Sequence, residues 1–91
     1  MAITIWKSKL ELVGLQEIAM PRGSEILCAQ NQFEEICIWY RCDSDEPLEP
    51  RKFAIVGTGN FAPSDEDSQY IGSVQQSGGS FIWHIFEPRN V

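Results

Sequence analysis

The sequence contains little of what catalysis or metal binding requires. Its 91 residues include one histidine and three cysteines, and no two cysteines form a Cys-x-x-Cys pair. This odd number and spacing argue against a disulfide framework and against a zinc site. His84 stands in an aromatic segment with no nucleophile or orienting partner beside it. The sequence therefore predicts no catalytic residue, no metal site and no cofactor, and we expect a protein that is not an enzyme.

The three cysteines are better explained by packing than by reactivity. Cys28 and Cys37 fall within strand-like segments and are predicted to be small core residues in a reducing compartment. Cys42 lies where a strand runs into a polar loop. We therefore predict Cys42 to be the more exposed thiol.

Long apolar runs are absent as well. The longest extend over only a few residues, and the segment from Met1 to Lys7 lacks both a basic start and a long apolar stretch. The pattern predicts neither a transmembrane span nor a signal peptide, and hence a cytoplasmic protein with no membrane partner.

Basic residues are few and scattered. Seven lysines and arginines stand against 13 acidic residues, which gives a net charge of −6. Direct binding to nucleic acid needs a basic stripe for the phosphates, so that class of function is not expected. The acidic residues are bunched in two places, Asp43, Asp45, Glu46 and Glu49, and then Asp65, Glu66 and Asp67. These bunches are either solvated loops or an acidic surface for a basic partner.

What the chain does contain is a succession of short strand patterns. Segments rich in β-formers and bounded by turn residues predict strands at 4–12, 15–20, 25–30, 33–41, 51–58, 70–76 and 80–86. No stretch has helical periodicity over three turns. We predict a single all-β domain over residues 1–91, either a small antiparallel β-sandwich or a partly open barrel of six to seven strands, with 88–91 as a tail.

Turn residues set the predicted boundaries. Residues 21–23 and 77–79 are predicted turns, and Asn31-Gln32 is predicted to be a two-residue hairpin connection. Pro47 and Pro50 cannot donate to a ladder, so strand pairing should stop between residues 43 and 50. The loop 60–68 has room for at most one helical turn.

The predicted core takes the apolar residues that recur along these strands. They are Ile5, Leu10, Leu12, Ile18, Ile26, Cys28, Ile36, Ile38, Phe53, Ile55, Ile71, Val74, Ile82 and Phe86. A shift of one residue in register would move any strand's set to the other face.

Aromatic residues supply the candidate binding surface. Three tryptophans are many for a small domain, and tryptophan, tyrosine and arginine dominate interface energetics. Gly57-Thr58-Gly59 resembles a phosphate-binding loop but lacks the third glycine and the following helix, so a simple turn is favoured. The predicted ligand or partner surface is Trp39, Arg41, Arg51, Gly57, Thr58, Gly59 and Tyr70. An open strand edge predicts a homodimer in addition.

Several sequence blocks carry a family resemblance. They are Ile5 to Glu11, Pro21 to Leu27, Cys37 to Tyr40, Arg51 to Gly59, Tyr70 to Ser73 and His84 to Glu87. In this order they resemble a family of small uncharacterised proteins of tailed bacteriophages and prophages. The family pattern often has histidine where this chain has Asn60, and threonine where it has Ser73. The resemblance implies a phage-derived origin and a bacterial cytoplasm, and it implies no activity.

Three functions are compatible with these observations. The first is a non-enzymatic phage accessory protein that binds a host protein, a defence or regulatory factor, through an aromatic and acidic surface. The second is a protein that binds or sequesters a small nucleotide-like ligand. The third is a structural or assembly component of the virion.

Overall fold

The computed structural model describes residues 1–89, and it confirms the all-β prediction. Seven strands form two antiparallel sheets that pack face to face as a small sandwich. The strands are β1 (Ile3–Leu10), β2 (Leu15–Pro21), β3 (Glu25–Gln32), β4 (Glu35–Asp43), β5 (Leu48–Gly57), β6 (Ser68–Gln76) and β7 (Phe81–Pro88). A single 3-10 turn, Ser77–Gly79, joins β6 to β7. No helix within residues 1–89 is long and apolar enough to cross a membrane.

The two sheets are joined along one side only. Their strand orders are β1-β4-β3 and β2-β5-β7-β6. Beside β3 and β6, the side chain of Asn31 donates to the carbonyl of Gln75 at 2.8 Å, and the side chain of Gln76 donates to the carbonyl of Glu34 at 2.7 Å. On the opposite side, the outer edge of β1 has no strand partner among the described residues.

The core lies between the sheets and includes much of the predicted set. Its buried members are Leu10, Met20, Ala29, Ile36, Ile38, Tyr40, Cys42, Phe53, Ile55, Val74 and Ile85. The predictions for Ile5, Leu12 and Ile82 were wrong, because all three are exposed. Ile5 and Ile82 lie on the outer faces of their sheets, and Leu12 lies in the β1–β2 loop.

Cys42 corrects the prediction of an exposed thiol. β4 continues to Asp43, so Cys42 stays in the inward row with Ile38 and Tyr40 and is buried. Desolvation raises the pKa of the Cys42 thiol. Cys37 is buried on the other face of β4, and its pKa is raised for the same reason. A raised pKa lowers the thiolate fraction, which makes both thiols poor nucleophiles at neutral pH.

The β3–β4 hairpin turns two residues later than predicted. Phe33 and Glu34 form the turn with φ of 54° and 64°, while Asn31 and Gln32 belong to β3. Positive φ at both central residues is the type I′ geometry that suits hairpins. The Asn31 side-chain oxygen accepts from the Glu34 N–H at 2.8 Å and helps to hold this turn.

Pro50 lies inside β5, opposite Ala19 of β2, so the prediction that pairing stops at Pro50 was wrong. Ile55 N donates to Gly14 O at 3.3 Å, so the odd-numbered residues of β5 direct their N–H groups toward β2 and the even-numbered residues direct theirs away from it. By that alternation the ring nitrogen of Pro50 faces away from β2. On that side β7 pairs with β5 only from Ala54 onward, so no ladder bond is lost.

The alternation of strand directions gives the sandwich two chemically different ends. One, here the apolar end, carries the β1–β2 loop, the β3–β4 hairpin tip, the exit of β5 and the β6–β7 turn. Its exposed large apolar residues include Leu12, Val13, Phe33, Phe61 and Phe81. The other, here the acidic end, carries Asp43, Asp45, Glu46, Asp65, Glu66 and Asp67.

The predicted tail 88–91 lies partly outside the described residues, which end at Arg89. Pro88 is the last residue of β7, opposite Ser68. Arg89 N donates to Asp67 O at 2.6 Å, and its guanidinium donates to the carbonyl of Asp65 at 3.1 Å. The loop between β5 and β6 therefore closes against the end of β7.

Candidate functional site

The seven residues predicted to form one binding surface do not share one site. Tyr70 lines two cavities, one of about 270 Å³ with Arg51 and one of about 240 Å³ with the glycine turn, and Trp39 and Arg41 line neither. Trp39 and Arg41 are on the outer face of the β1-β4-β3 sheet. Trp39 is half-buried, and the exposed Arg41 guanidinium donates to Glu25 Oε1 at 2.9 Å. This face is remote from the glycine turn, which follows β5 in the other sheet.

Arg51 is held by hydrogen bonds within the fold. Its guanidinium forms a two-pronged ion pair with Glu87 of β7, with bonds of 2.5 and 3.0 Å, and donates to the carbonyl of Ser24 at 2.8 Å. Both charged side chains are largely buried, with 25% and 21% of their surfaces exposed. Arg51 thus links the two strands to the β2–β3 turn, and each of its three nitrogens already donates one hydrogen bond.

Gly57, Thr58, Gly59 and Tyr70 do come together. They line a shallow cavity of about 240 Å³ on the outer face of the β2-β5-β7-β6 sheet, with His84 in its wall. The two ring nitrogens of His84 bond to the Thr58 hydroxyl at 2.8 Å and to the Tyr70 hydroxyl at 2.9 Å. Thr58 also donates to the carbonyl of Ile82 at 3.4 Å. The His84 ring therefore connects the glycine turn at the end of β5 to strand β6 through two hydrogen bonds.

A larger groove opens at the apolar end, and the sequence did not predict it. Its volume is about 420 Å³, and its lining includes Leu12, Val13, Gly57, Phe61 and Trp83. The groove forms because β2 pairs with β5 only as far as Ala54, leaving the last residues of β5 without a strand on that side. The β1–β2 loop and the β5–β6 loop make its two walls.

Gly57 supplies the backbone of the groove. The bond from Thr58 N to Ile82 O directs Thr58 toward β7, so by alternation the N–H of Gly57 points away from β7 and into the groove. A β-carbon at Gly57 would lie 3.1 Å from the Asn60 amide and 3.3 Å from the Trp83 ring. The absence of a side chain thus lets the chain pass close over Trp83.

Trp83 forms the floor and is held firmly. Its indole N–H donates to the side chain of Gln76 at 2.9 Å, and its ring stacks on Phe81 with centroids 6.0 Å apart and planes at 12°. An aromatic ring held in place at the base of an apolar groove can take up a large apolar side chain at low entropic cost.

Phe61 is the most exposed large apolar residue at the groove, and its side chain is fully accessible to solvent. Single exposed apolar residues are ordinary on protein surfaces, but five large ones are exposed at this end of a small domain, and Leu12, Val13 and Phe61 line the same groove. These five residues are here called the apolar patch. No periodic pattern marks Leu12, Val13 or Phe61, because all three lie in loops. The composition of the β5–β6 loop, with a phenylalanine among polar residues, was the one available signal.

Acidic groups are divided between the two ends. At the apolar end, Glu11 and Glu34 are exposed beside the patch. At the acidic end, Asp43 accepts from the N–H groups of Ala2 and Asp45, which lowers the pKa of its carboxyl. The two acidic bunches of the sequence therefore lie at the opposite end from the aromatic residues of the groove. Residues 1–89 contain no group of three or more potential ligands placed to hold a metal ion.

The hairpin tip provides a prediction about strain. Phe33 is almost fully exposed and adopts φ of 54°, a conformation unfavourable for a residue with a β-carbon. We expect Phe33→Asn to stabilise the fold by about 0.5–1 kcal/mol, since asparagine tolerates this region and no packing is lost. Urea unfolding monitored by circular dichroism measures this. An unchanged or lower midpoint would show that the Phe33 ring contributes to stability.

One family model matches the whole chain, residues 1–91, and its description is "Domain of unknown function (DUF7352)". The chain belongs to this family. No curated protein and no solved structure matches it. The family match carries no activity, so a function for this DUF7352 domain has to be argued from the apolar end and the two cavities.

Proposed function

We propose that the protein is a non-enzymatic binding domain that holds an extended segment of another protein at its apolar end. The observation that carries this proposal is the position of five exposed apolar residues at the same end of the sandwich: Leu12, Val13, Phe33 and Phe61 on three connections, and Phe81 at the start of β7. Exposed apolar patches of this kind mark protein interaction sites.

The groove sets the mode of binding. An extended segment can lie beside the last residues of β5 and accept a hydrogen bond from Gly57 N–H, in the position that β2 leaves free. One large apolar side chain of the segment fits over Trp83 between Val13 and Phe61. Burying such an anchor contributes about 2–3 kcal/mol, and the net charge of −6 favours lysine or arginine elsewhere in the segment.

The resemblance to bacteriophage proteins suggests the cell in which the protein acts and the kind of partner that it binds. On that basis the partner is a protein of the bacterial host, a defence or regulatory factor, and binding takes place in the cytoplasm. An inhibitory accessory protein needs no catalytic group, because occupying a surface of its target is sufficient.

A peptide selection tests this proposal. Immobilised protein is used to select from a random peptide library, and we expect enriched peptides with one large apolar residue and basic residues elsewhere. Phe61→Ser should weaken their binding at least tenfold, since it removes one wall of the groove. The matched control is Leu48→Ser, which removes another exposed apolar residue at the opposite end of β5. No enrichment, or equal loss in both variants, would contradict the proposal.

The cavity beside His84 supports a second candidate, a site for a small nucleotide-like ligand. It brings together four of the seven predicted residues, with an aromatic wall of Tyr70, His84 and Phe86. Thermal-shift measurements with a panel of nucleotides test it, with Tyr70→Ala as the variant that removes the stacking surface. A shift that Tyr70→Ala abolishes and Phe61→Ser leaves intact would favour this candidate.

A further inference from the structure

The outer edge of β1 is free and can form backbone hydrogen bonds. Ser44 N donates to Ala2 O at 3.0 Å, continuing the register in which Ile3 lies opposite Asp43 of β4. Hydrogen-bonded pairs alternate along an antiparallel ladder, so the even-numbered residues of β1 bond to β4. The odd-numbered residues from 3 to 9 therefore direct their N–H and C=O groups toward the free edge.

This edge lacks the usual protection against pairing. Natural edge strands are blocked by prolines, bulges or lysines that reach over the edge. β1 has no proline and no bulge. Lys7 donates to Gln32 Oε1 at 2.5 Å, and Lys9 lies 3.7 Å from Glu35 Oε1, so both ammonium groups turn back over their own sheet.

The side chains of β1 are unusually apolar for an edge strand. Ile3 and Ile5 are both 57% exposed on the outer face, and Trp6 is 38% exposed on the inner face. A strand with apolar residues exposed on both faces is incompletely covered within one copy of the chain. Pairing with a further strand would bury all three.

We propose that β1 pairs with β1 of a second copy of this chain, antiparallel and centred on Trp6, so that two three-stranded sheets become one of six strands. In this register Ile3 lies opposite Lys9 of the second copy and Ile5 opposite Lys7. All the outward-facing backbone groups from 3 to 9 are then used, in about eight hydrogen bonds. The two Trp6 rings meet across the two-fold axis as a non-hydrogen-bonded cross-strand pair, in which aromatic residues stabilise each other.

Charge disfavours one of the two neighbouring registers. A register centred on Lys7 would place two lysines directly opposite each other, whereas the one centred on Trp6 separates them. It also sets both lysines of each strand opposite isoleucines of the other, so that no like charges lie directly opposite each other. The strand is thus complementary to itself.

The interface is small, so the dimer forms weakly. Two paired edge strands bury less than the roughly 1,200 Å² of a standard interface, and we expect a dissociation constant of about 10–100 µM. The groove over Trp83 lies on a different surface, so dimerisation and binding at the apolar end can be tested separately.

Sedimentation equilibrium between about 5 and 500 µM tests the proposal, with Ile5→Pro as the decisive variant and Ile5→Val as its control. The N–H of residue 5 points outward, so proline removes an intermolecular bond and leaves the β1–β4 ladder intact. We expect a concentration-dependent dimer that Ile5→Pro weakens at least tenfold and Ile5→Val retains. A monomer throughout, or a dimer that Ile5→Pro leaves unchanged, would overturn the proposal.

Cysteine cross-linking tests the register independently of proline. In a Cys28→Ser background, Trp6→Cys places two thiols opposite each other with α-carbons about 4.5 Å apart, within reach of a disulfide. Thr4→Cys is the control, because its two copies would be about 13 Å apart along the strands. Oxidation should yield a covalent dimer of Trp6→Cys and leave Thr4→Cys monomeric. Equal cross-linking of both variants, or of neither, refutes a pair centred on Trp6.

Discussion

Phe53→Ala is expected to unfold the domain or bring it close to unfolding. Phe53 is fully buried in β5, where its ring packs among the inward residues of both sheets. Truncating such a ring removes its transfer free energy and leaves a cavity, at a cost of about 3–5 kcal/mol. A domain of this size has about 5–15 kcal/mol of stability in total, so the loss is a large share. Guanidinium unfolding followed by circular dichroism measures it.

Phe61→Ala is the matched control for this prediction. The residue type and the truncation are the same, but the Phe61 side chain is fully exposed. We expect its free energy of unfolding to stay within about 0.5 kcal/mol of the original value. Comparable destabilisation by the two changes would mean that the β5–β6 loop packs differently from the structure described here.

Arg51→Met is expected to lower the free energy of unfolding by about 2–4 kcal/mol. The change leaves the Glu87 carboxylate largely buried without its partner and the Ser24 carbonyl without its donor. Breaking a buried pair by removing one member costs more than the pair contributes, because the remaining charge stays desolvated. Urea unfolding of Arg51→Met against the original protein gives the value.

Arg41→Met is the comparison for Arg51→Met. Arg41 pairs with Glu25 on an exposed face, where both side chains are more than half accessible. Solvent screens such a pair, so its loss should cost less than about 1 kcal/mol. If Arg51→Met were equally mild, Arg51 would be available for the ligand-binding role first predicted for it.

The strands were predictable because the signals for strands are local. The alternating apolar residues and the turn residues at Pro21, Gly23 and Gly78 bound segments close to those observed. The prediction for Pro50 was wrong because a proline interrupts a sheet only where its nitrogen faces a paired strand. The nitrogen of Pro50 faces the side of β7, and β7 pairs with β5 only from Ala54 onward. The prediction of an exposed Cys42 was wrong because β4 extends into the polar segment as far as Asp43.

The candidate site was less predictable than the fold, because it depends on which distant segments meet. Arg51 was a reasonable ligand-binding residue until its partner Glu87, 36 residues away in the sequence, was placed beside it. The groove over Trp83 exists because two loops meet at the end of β5, and loop residues such as Val13 and Phe61 follow no period. The turn predicted at Gly57 does contribute to the groove, because its backbone passes close to the Trp83 ring.

The measurement that tests the proposed function most directly is an amide and indole NMR titration of the full chain with a selected basic-apolar peptide. We expect chemical-shift changes at the Gly57 N–H, the Trp83 indole N–H and Val13, since these three residues line the groove. Phe61→Ser should abolish these changes, and Leu48→Ser should leave them intact. Shifts confined to Tyr70 and His84, or no saturable shifts, would contradict the assignment of the apolar end as the binding site.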